Sequence, residues 1–249
     1  MGEWKLYLWL MFPGPILWLQ GRHVRRVIPH LPEPPGQRAG SVGLGPLIRI
    51  LVAGDSAAAG VGASSQDEAL CGQLVNGLSQ HGRVDWCLIA ATGLDSLGLM
   101  TLLSDTPVDQ YDLVILSIGV NDVTALRSPR QWRQLQDQLT KLIETRFRPQ
   151  LMIHCALPPM PAFTGLPQPL RWFFGLWAQE FNRQLAGVLS GQTRRTLHQP
   201  FLEAASGGLA SDGFHPGPAG YTAWAESLSK GILAARLTEQ STVSAMVHR

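Results

Sequence analysis

The 249-residue chain reads as an α/β protein, a parallel sheet covered by helices. From Leu47 onward, short apolar runs alternate with longer amphipathic stretches, the pattern of strands separated by returning helices. Hydrophobic residues make up 45% of the chain and charged residues 15%, against about 25% charged in an average soluble domain, so most of the chain is not disordered. At about 150 residues per domain the length suits one catalytic-size domain with an appendage. No internal repeat and no second break in composition interrupts residues 47–238.

The elements follow in order. Trp4 to Leu19 is almost wholly apolar and holds Trp4, Trp9 and Trp18. At about 16 residues it is short of the roughly 17–25 that span a bilayer. Arg22, Arg25 and Arg26 follow, and positive charge behind an apolar segment favours a retained anchor or interfacial helix with a cytoplasmic body. A cleaved signal peptide, with a periplasmic or secreted body, and a helix packed on its own domain are the other readings. Residues 28–46, with Pro29, Pro32, Pro34, Pro35, Pro46 and several glycines, read as a semi-rigid linker, so residues 1–46 form an appendage. Strands are expected at Leu47–Ala53, Val84–Ile89, Leu113–Ser117, Leu151–Ala156 and Arg195–His198. Trp132, Leu135, Leu139, Leu142, Ile143 and Phe147 recur at three and four and predict a helix over Gln131–Phe147, with Ser128 and Pro129 at its start. Further helices are expected over Pro169–Leu189 and Pro218–Leu237, with 239–249 as a frayed tail.

Composition and spacing exclude several function classes. Lys and Arg number 20 against 18 Asp and Glu, a net charge of +2, with no basic run beyond Arg22–Arg26, so no nucleic-acid partner is expected. Cys71, Cys87 and Cys155 are widely separated and form no CxxC, and the seven histidines show no HExxH, so neither a disulfide framework nor a metal site is expected. The glycines after the first strand lack the lysine of a phosphate loop and do not form GxGxxG, and no nucleotide or other cofactor is expected.

Three motifs lie on connections that the strand-helix alternation places at the carboxyl edge of the sheet, where open parallel sheets bind ligands. Gly54-Asp55-Ser56 puts a serine on a tight turn, a nucleophile or a helix cap. Gly119-Val120-Asn121-Asp122 offers an amide that can donate to a carbonyl oxygen gaining charge, or a structural turn. In Asp212-Gly213-Phe214-His215-Pro216 a carboxylate three residues before an imidazole can fix its tautomer and leave Nε2 as a base. Together, serine, amide and Asp-His pair form a hydrolytic constellation. Asp55 and Asp122 read as turn formers.

These blocks resemble those of the SGNH/GDSL hydrolase superfamily, in its thioesterase- and lysophospholipase-like branch, over residues 47 to about 235. The resemblance implies a three-layer α/β/α sandwich with a five-stranded parallel sheet, the flavodoxin-like SGNH hydrolase fold, and hydrolysis of esters or thioesters. It implies Ser56 as nucleophile, His215 as base, Asp212 as its orienting acid, and an oxyanion hole of Ser56 N–H, Gly93 N–H and the Asn121 amide. The chain departs from the family at two points. Thr92 stands where an Asn usually precedes the glycine of the second block, and Ala57-Ala58 replace the common Leu-Thr. Few charges and many aromatics, Phe163, Trp172, Phe173, Phe174 and Trp177, flank the expected site and suit a small-molecule or lipid-like ester, or else simply pack the core. An acyltransferase using the same acyl-enzyme and an inactive membrane-tethered binding module are the alternatives.

Overall fold

In the computed structural model, residues 14–199 and 208–247 are described, with side chains up to residue 235. After α1 (Gly14–Val27) and a short strand β1 (Ala39–Val42), the chain alternates strand and helix. The elements are β2 (Leu47–Gly54), α2 (Ser56–Ala59), α3 (Leu70–Ser79), β3 (Arg83–Ala90), α4 (Ser96–Asp105), β4 (Leu113–Ser117) and α5 (Val120–Thr124). They continue with α6 (Pro129–Phe147), β5 (Leu151–Cys155), α7 (Leu170–Leu189), β6 (Arg195–His198) and α8 (Pro218–Val247).

The sheet has the order β1-β3-β2-β4-β5-β6 and is parallel except for β1, which runs antiparallel to β3 with Ala39 opposite Cys87. All five expected strands appear within one or two residues of their expected ends. The sheet has a sixth strand that the sequence reading placed in a linker. β1 is AGSV, exposed throughout, and carries no apolar run to betray it. Its pairing is made of backbone hydrogen bonds along the free edge of β3, which covers an edge that would otherwise stay open.

Helices cover both faces. On one, Leu70, Leu74 and Leu78 of α3 and Tyr221, Trp224 and Leu228 of α8 pack on Ile50, Val52, Val84 and Ile115. On the other, Leu99 and Leu103 of α4 and Leu139, Ile143 and Phe147 of α6 pack on Leu51, Ala53, Val114 and Met152. The alternation of Ile50, Leu51, Val52 and Ala53 between the two faces is the two-residue period of a strand buried on both sides. α6 starts at Pro129 behind Ser128, the residues expected at its start, and Ser128 and Gln131 close a capping box around the first turn. Its buried face also takes Gln136 and Thr140, while Leu135 and Leu142 are half-buried. α8 runs to Val247, past the expected end at Leu237 and through most of the expected frayed tail.

Residues 4–13 of the apolar N-terminal segment lie outside the described residues. Its remaining residues, 14–19, begin α1, which packs on the body: Leu17 is buried, Gln20 Oε1 accepts from Leu170 N–H at 3.0 Å, and Gln20 Nε2 donates to Gln168 O at 2.6 Å. Among the described residues no helix is long and apolar enough to cross a membrane.

Candidate active site

Strand β2 meets β4 so closely that a Cβ at Gly54 would lie 2.0 Å from Ser117 O, so only glycine fits there. The chain then turns. Asp55 N–H donates to Ser117 O at 3.1 Å, and the Asp55 carboxylate caps α2 by accepting from Ala57 N–H at 3.1 Å. This is the turn-forming role expected of Asp55. Burial pushes its carboxyl up to about 7, against the opposing pull of that N–H bond and of nearby His215. Ser56, the next residue, opens α2 where the strand order reverses between β3 and β4.

A second turn reaches Ser56 from 159 residues away. His215 Nε2 is 2.9 Å from Ser56 Oγ, and His215 Nδ1 is 2.5 Å from Asp212 Oδ2. The other carboxylate oxygen, Oδ1, accepts from the N–H groups of Phe214 and His215 at 2.9 and 3.0 Å, which fixes Asp212 against the turn it caps. Burial opposes ionisation of Asp212, but these three bonds outweigh it and hold the carboxyl below the usual carboxylate range. Ionised Asp212 accepts the Nδ1–H, so Nε2 presents its lone pair to the serine hydroxyl. Ser56, His215 and Asp212 thus form one unbroken hydrogen-bond chain.

Gly93 sits on the turn after β3 with φ +82° and no atom within 4 Å of where a side chain would begin, so its requirement for glycine is conformational. Asn121, in the first turn of α5, donates from Nδ2 to Leu94 O at 2.8 Å, which ties its loop to the Gly93 turn and leaves its second amide N–H for another acceptor. Deeper bonds lock the same two loops. Buried Asp122 accepts from Ser96 N–H at 3.0 Å, Ser96 Oγ–H at 2.8 Å and Arg127 Nε–H at 2.7 Å, and Arg127 also reaches Asp95 at 2.7 Å. Asp122 is therefore the keystone of a loop-loop joint.

Two contributors were not anticipated from the sequence. Glu33 Oε1 accepts from both Thr92 N–H at 2.6 Å and Thr92 Oγ–H at 2.8 Å, and Arg38 bonds Glu33 at 3.0 Å and Ala90 O at 2.6 Å. The stretch read as linker therefore grips the turn that carries Gly93. The partners are 59 residues apart, and the antiparallel pairing of β1, with the bonds of Pro35 O to Gln66 N–H and Arg38 O to Leu88 N–H, brings them together.

Two cavities flank His215. One, a narrow cavity of about 40 Å³, is lined by Ser56, Ile118, Leu157, Pro158, Phe163 and Trp224 among others. Cys155 also lines it, its thiol pushed up to about 12 by burial, which makes it a neutral wall. The other is an open groove of about 410 Å³ running from Asn121, Thr92 and His215 towards α1. The aromatic residues divide between the two readings given above. Phe163 faces the first cavity and Phe174 the groove, whereas Phe173 and Trp177 are core residues and Trp172 lies 40% exposed. Among the described residues no cluster of His, Cys, Asp or Glu is placed to hold a metal.

Comparison with known proteins shows the family and the fold. The chain is 27% identical over 172 residues to a GDSL-like esterase of Mycobacterium tuberculosis, a match covering 61% of this chain and 53% of the relative, so the chain spans about half that relative's length. Its fold is similar to a lipase from a goat rumen metagenome, with a TM-score of 0.57 at 18% identity over 76% of this chain and 97% of the other. It is also similar to a member of the lipolytic G-D-S-L family from Veillonella parvula, with a TM-score of 0.59 at 14% identity over 73% and 96%. The model of the GDSL-like lipase/acylhydrolase family matches residues 52–223, from within β2 into the start of α8, and the chain belongs to that family.

Proposed function

We propose that the protein is a serine hydrolase that cleaves carboxylic or thio-esters through an acyl-enzyme on Ser56, acting on simple acyl or lipid-like esters. The observation that carries this reading is the continuous chain from Ser56 Oγ through His215 to Asp212, opening into two largely apolar cavities. Family membership supports ester hydrolysis in general.

Each step follows from an atom already described. His215 Nε2 accepts the Ser56 proton as Oγ bonds to the carbonyl carbon, and the carbonyl electron pair moves onto oxygen. The N–H groups of Ser56 and Gly93 and the free amide N–H of Asn121 receive that oxyanion. Asp212 stabilises the imidazolium, which then gives its proton to the leaving alcohol or thiol as the C–O or C–S bond breaks. Water repeats the attack on the acyl-serine with His215 as base, which releases the acid and restores the hydroxyl.

The apolar character of both cavities favours an uncharged acyl group over a sugar. The outer face of α1, where Ile16, Trp18 and Leu19 are more than half exposed above Arg22 and Arg26, supports contact with a membrane surface.

Hydrolysis of p-nitrophenyl esters from acetate to palmitate, with and without Ser56→Ala, tests this function. Turnover that disappears in the variant is expected. Equal turnover by both proteins would contradict it, and a new ester formed with an added alcohol acceptor at the expense of free acid would identify an acyltransferase instead.

A further inference from the structure

The match to the family begins at residue 52, yet the groove that meets the catalytic histidine is built in part by residues before it. One wall comes from Val24 on α1 and from Ile28 and Leu31 on the strap that follows. The facing wall comes from Leu166, Phe174 and Phe214. Asn121 and His215 close the end nearest the serine. Arg25 lines this groove too, and the adjoining hollow beyond it is bordered by Trp18, Arg22 and Arg26, so the walls become cationic away from the site. The arm does not merely drape over the body. Gln20 is bonded twice to the 168–170 turn, and Glu33 and Arg38 clamp the Gly93 turn.

We propose that residues 14–38 are a working part of the active site: α1 and the 28–31 strap form the wall that receives the hydrocarbon chain of an acyl ester, and Glu33 positions the oxyanion turn. This inference rests on the hydrolase function proposed above. A concave groove with apolar walls and a few polar groups at one end is the usual form of a small-ligand site. A chain laid along it leaves the carbonyl between Ser56 and Asn121, so its burial contributes to selectivity for acyl length. Glu33 does not touch substrate. It is a positioning residue that acts through Thr92, and with Thr92 standing where the family usually has Asn, the turn is held from outside by the arm.

The test uses the full chain. In the double variant Val24→Asn/Ile28→Asn, kcat/KM on p-nitrophenyl octanoate is expected to fall at least tenfold, with less than a twofold change on p-nitrophenyl acetate. Retained acetate turnover shows that the variant is folded. An octanoate loss no larger than the acetate loss overturns the chain-binding role. As a readout independent of turnover, dodecanoate is expected to bind the Ser56→Ala protein and to bind at least tenfold more weakly once the two asparagines are added. Equal binding, or none by the Ser56→Ala protein, overturns it as well. Glu33→Ala is expected to lower kcat on acetate about tenfold with KM unchanged, and Glu33→Gln, whose amide oxygen still accepts from Thr92, to restore most of it. A raised KM with unchanged kcat would contradict the positioning role. Absence of Ser56-dependent turnover on every ester by the unaltered protein would count against the hydrolase function, while the dodecanoate measurement would still decide whether the arm binds a chain.

Discussion

Asn121 and Asp212 show how much of each proposed role depends on the bonds that hold the side chain. Asn121 has one amide N–H tied to Leu94 O, which prevents rotation of the amide and aims the other N–H. Preorganised donors of this kind typically contribute about 10²- to 10³-fold in kcat, and Asn121→Ala is expected to lose that much while its melting temperature stays close to that of the unaltered protein. A loss below threefold would remove Asn121 from the oxyanion hole. Asp212→Asn is expected to lower kcat by about 10⁴-fold with the fold intact, because an amide can settle the imidazole in the wrong tautomer. Steady-state kinetics read both. The serine, amide and Asp-His motifs were legible in the sequence because each is a short local pattern whose backbone turn and chemistry are encoded together. The grip of Glu33 on Thr92 was not, since neither residue carries a local signature and their contact depends on pairing between distant strands.

The helices and strands divide along the same line. Strands β2, β4 and β5 stood out because continuous apolar runs belong to strands covered on both faces. α6 stood out because its apolar residues repeat at three and four. β1 escaped detection because its four residues are all exposed and earn their place by backbone pairing alone. Short α2 and α5 escaped because a single turn has no period to read. Strand β5 also holds an element that periodicity disguises. His154 is 1% exposed and, among the described residues, neither of its ring nitrogens has a hydrogen-bond partner, so burial, with the charge of Arg195 adding to it, pushes its pKa down to about 4. In the unfolded chain it protonates near its ordinary value of 6.5. Between pH 6.5 and about 4 the unfolded state therefore binds the extra proton and stability falls as the pH falls. The full effect amounts to about 3 kcal/mol. His154→Leu is expected to remove that part of the acid sensitivity, visible as a flatter melting temperature between pH 6.5 and 4.5. An unchanged slope would show that His154 finds a partner or solvent.

At the scale of the whole molecule, a parallel sheet whose order reverses at β2 brings every chemistry-bearing turn to one edge. The turns after β2, β3 and β4 and before α8 come from residues 54 to 217, yet they converge on two adjoining cavities. That convergence follows from the parallel pairing of β2 to β6, which points the carboxyl end of each strand to the same edge, and it explains why strand order along the chain already placed the motifs together. The N-terminal segment was the least legible part, because apolar and tryptophan-rich composition suits a membrane surface, a signal peptide and a packed helix alike. The described part of it, residues 14–19, begins a packed helix that keeps an apolar outer face. The most direct measurement of the central claim, that Ser56 is an activated nucleophile, is labelling by a fluorophosphonate followed by mass spectrometry of the intact and digested protein. One phosphonyl adduct on the peptide carrying Ser56, lost in Ser56→Ala and slowed in the His215→Ala variant, is the expected result. A folded protein that takes no label, or that takes it equally in the Ser56→Ala variant, would contradict it.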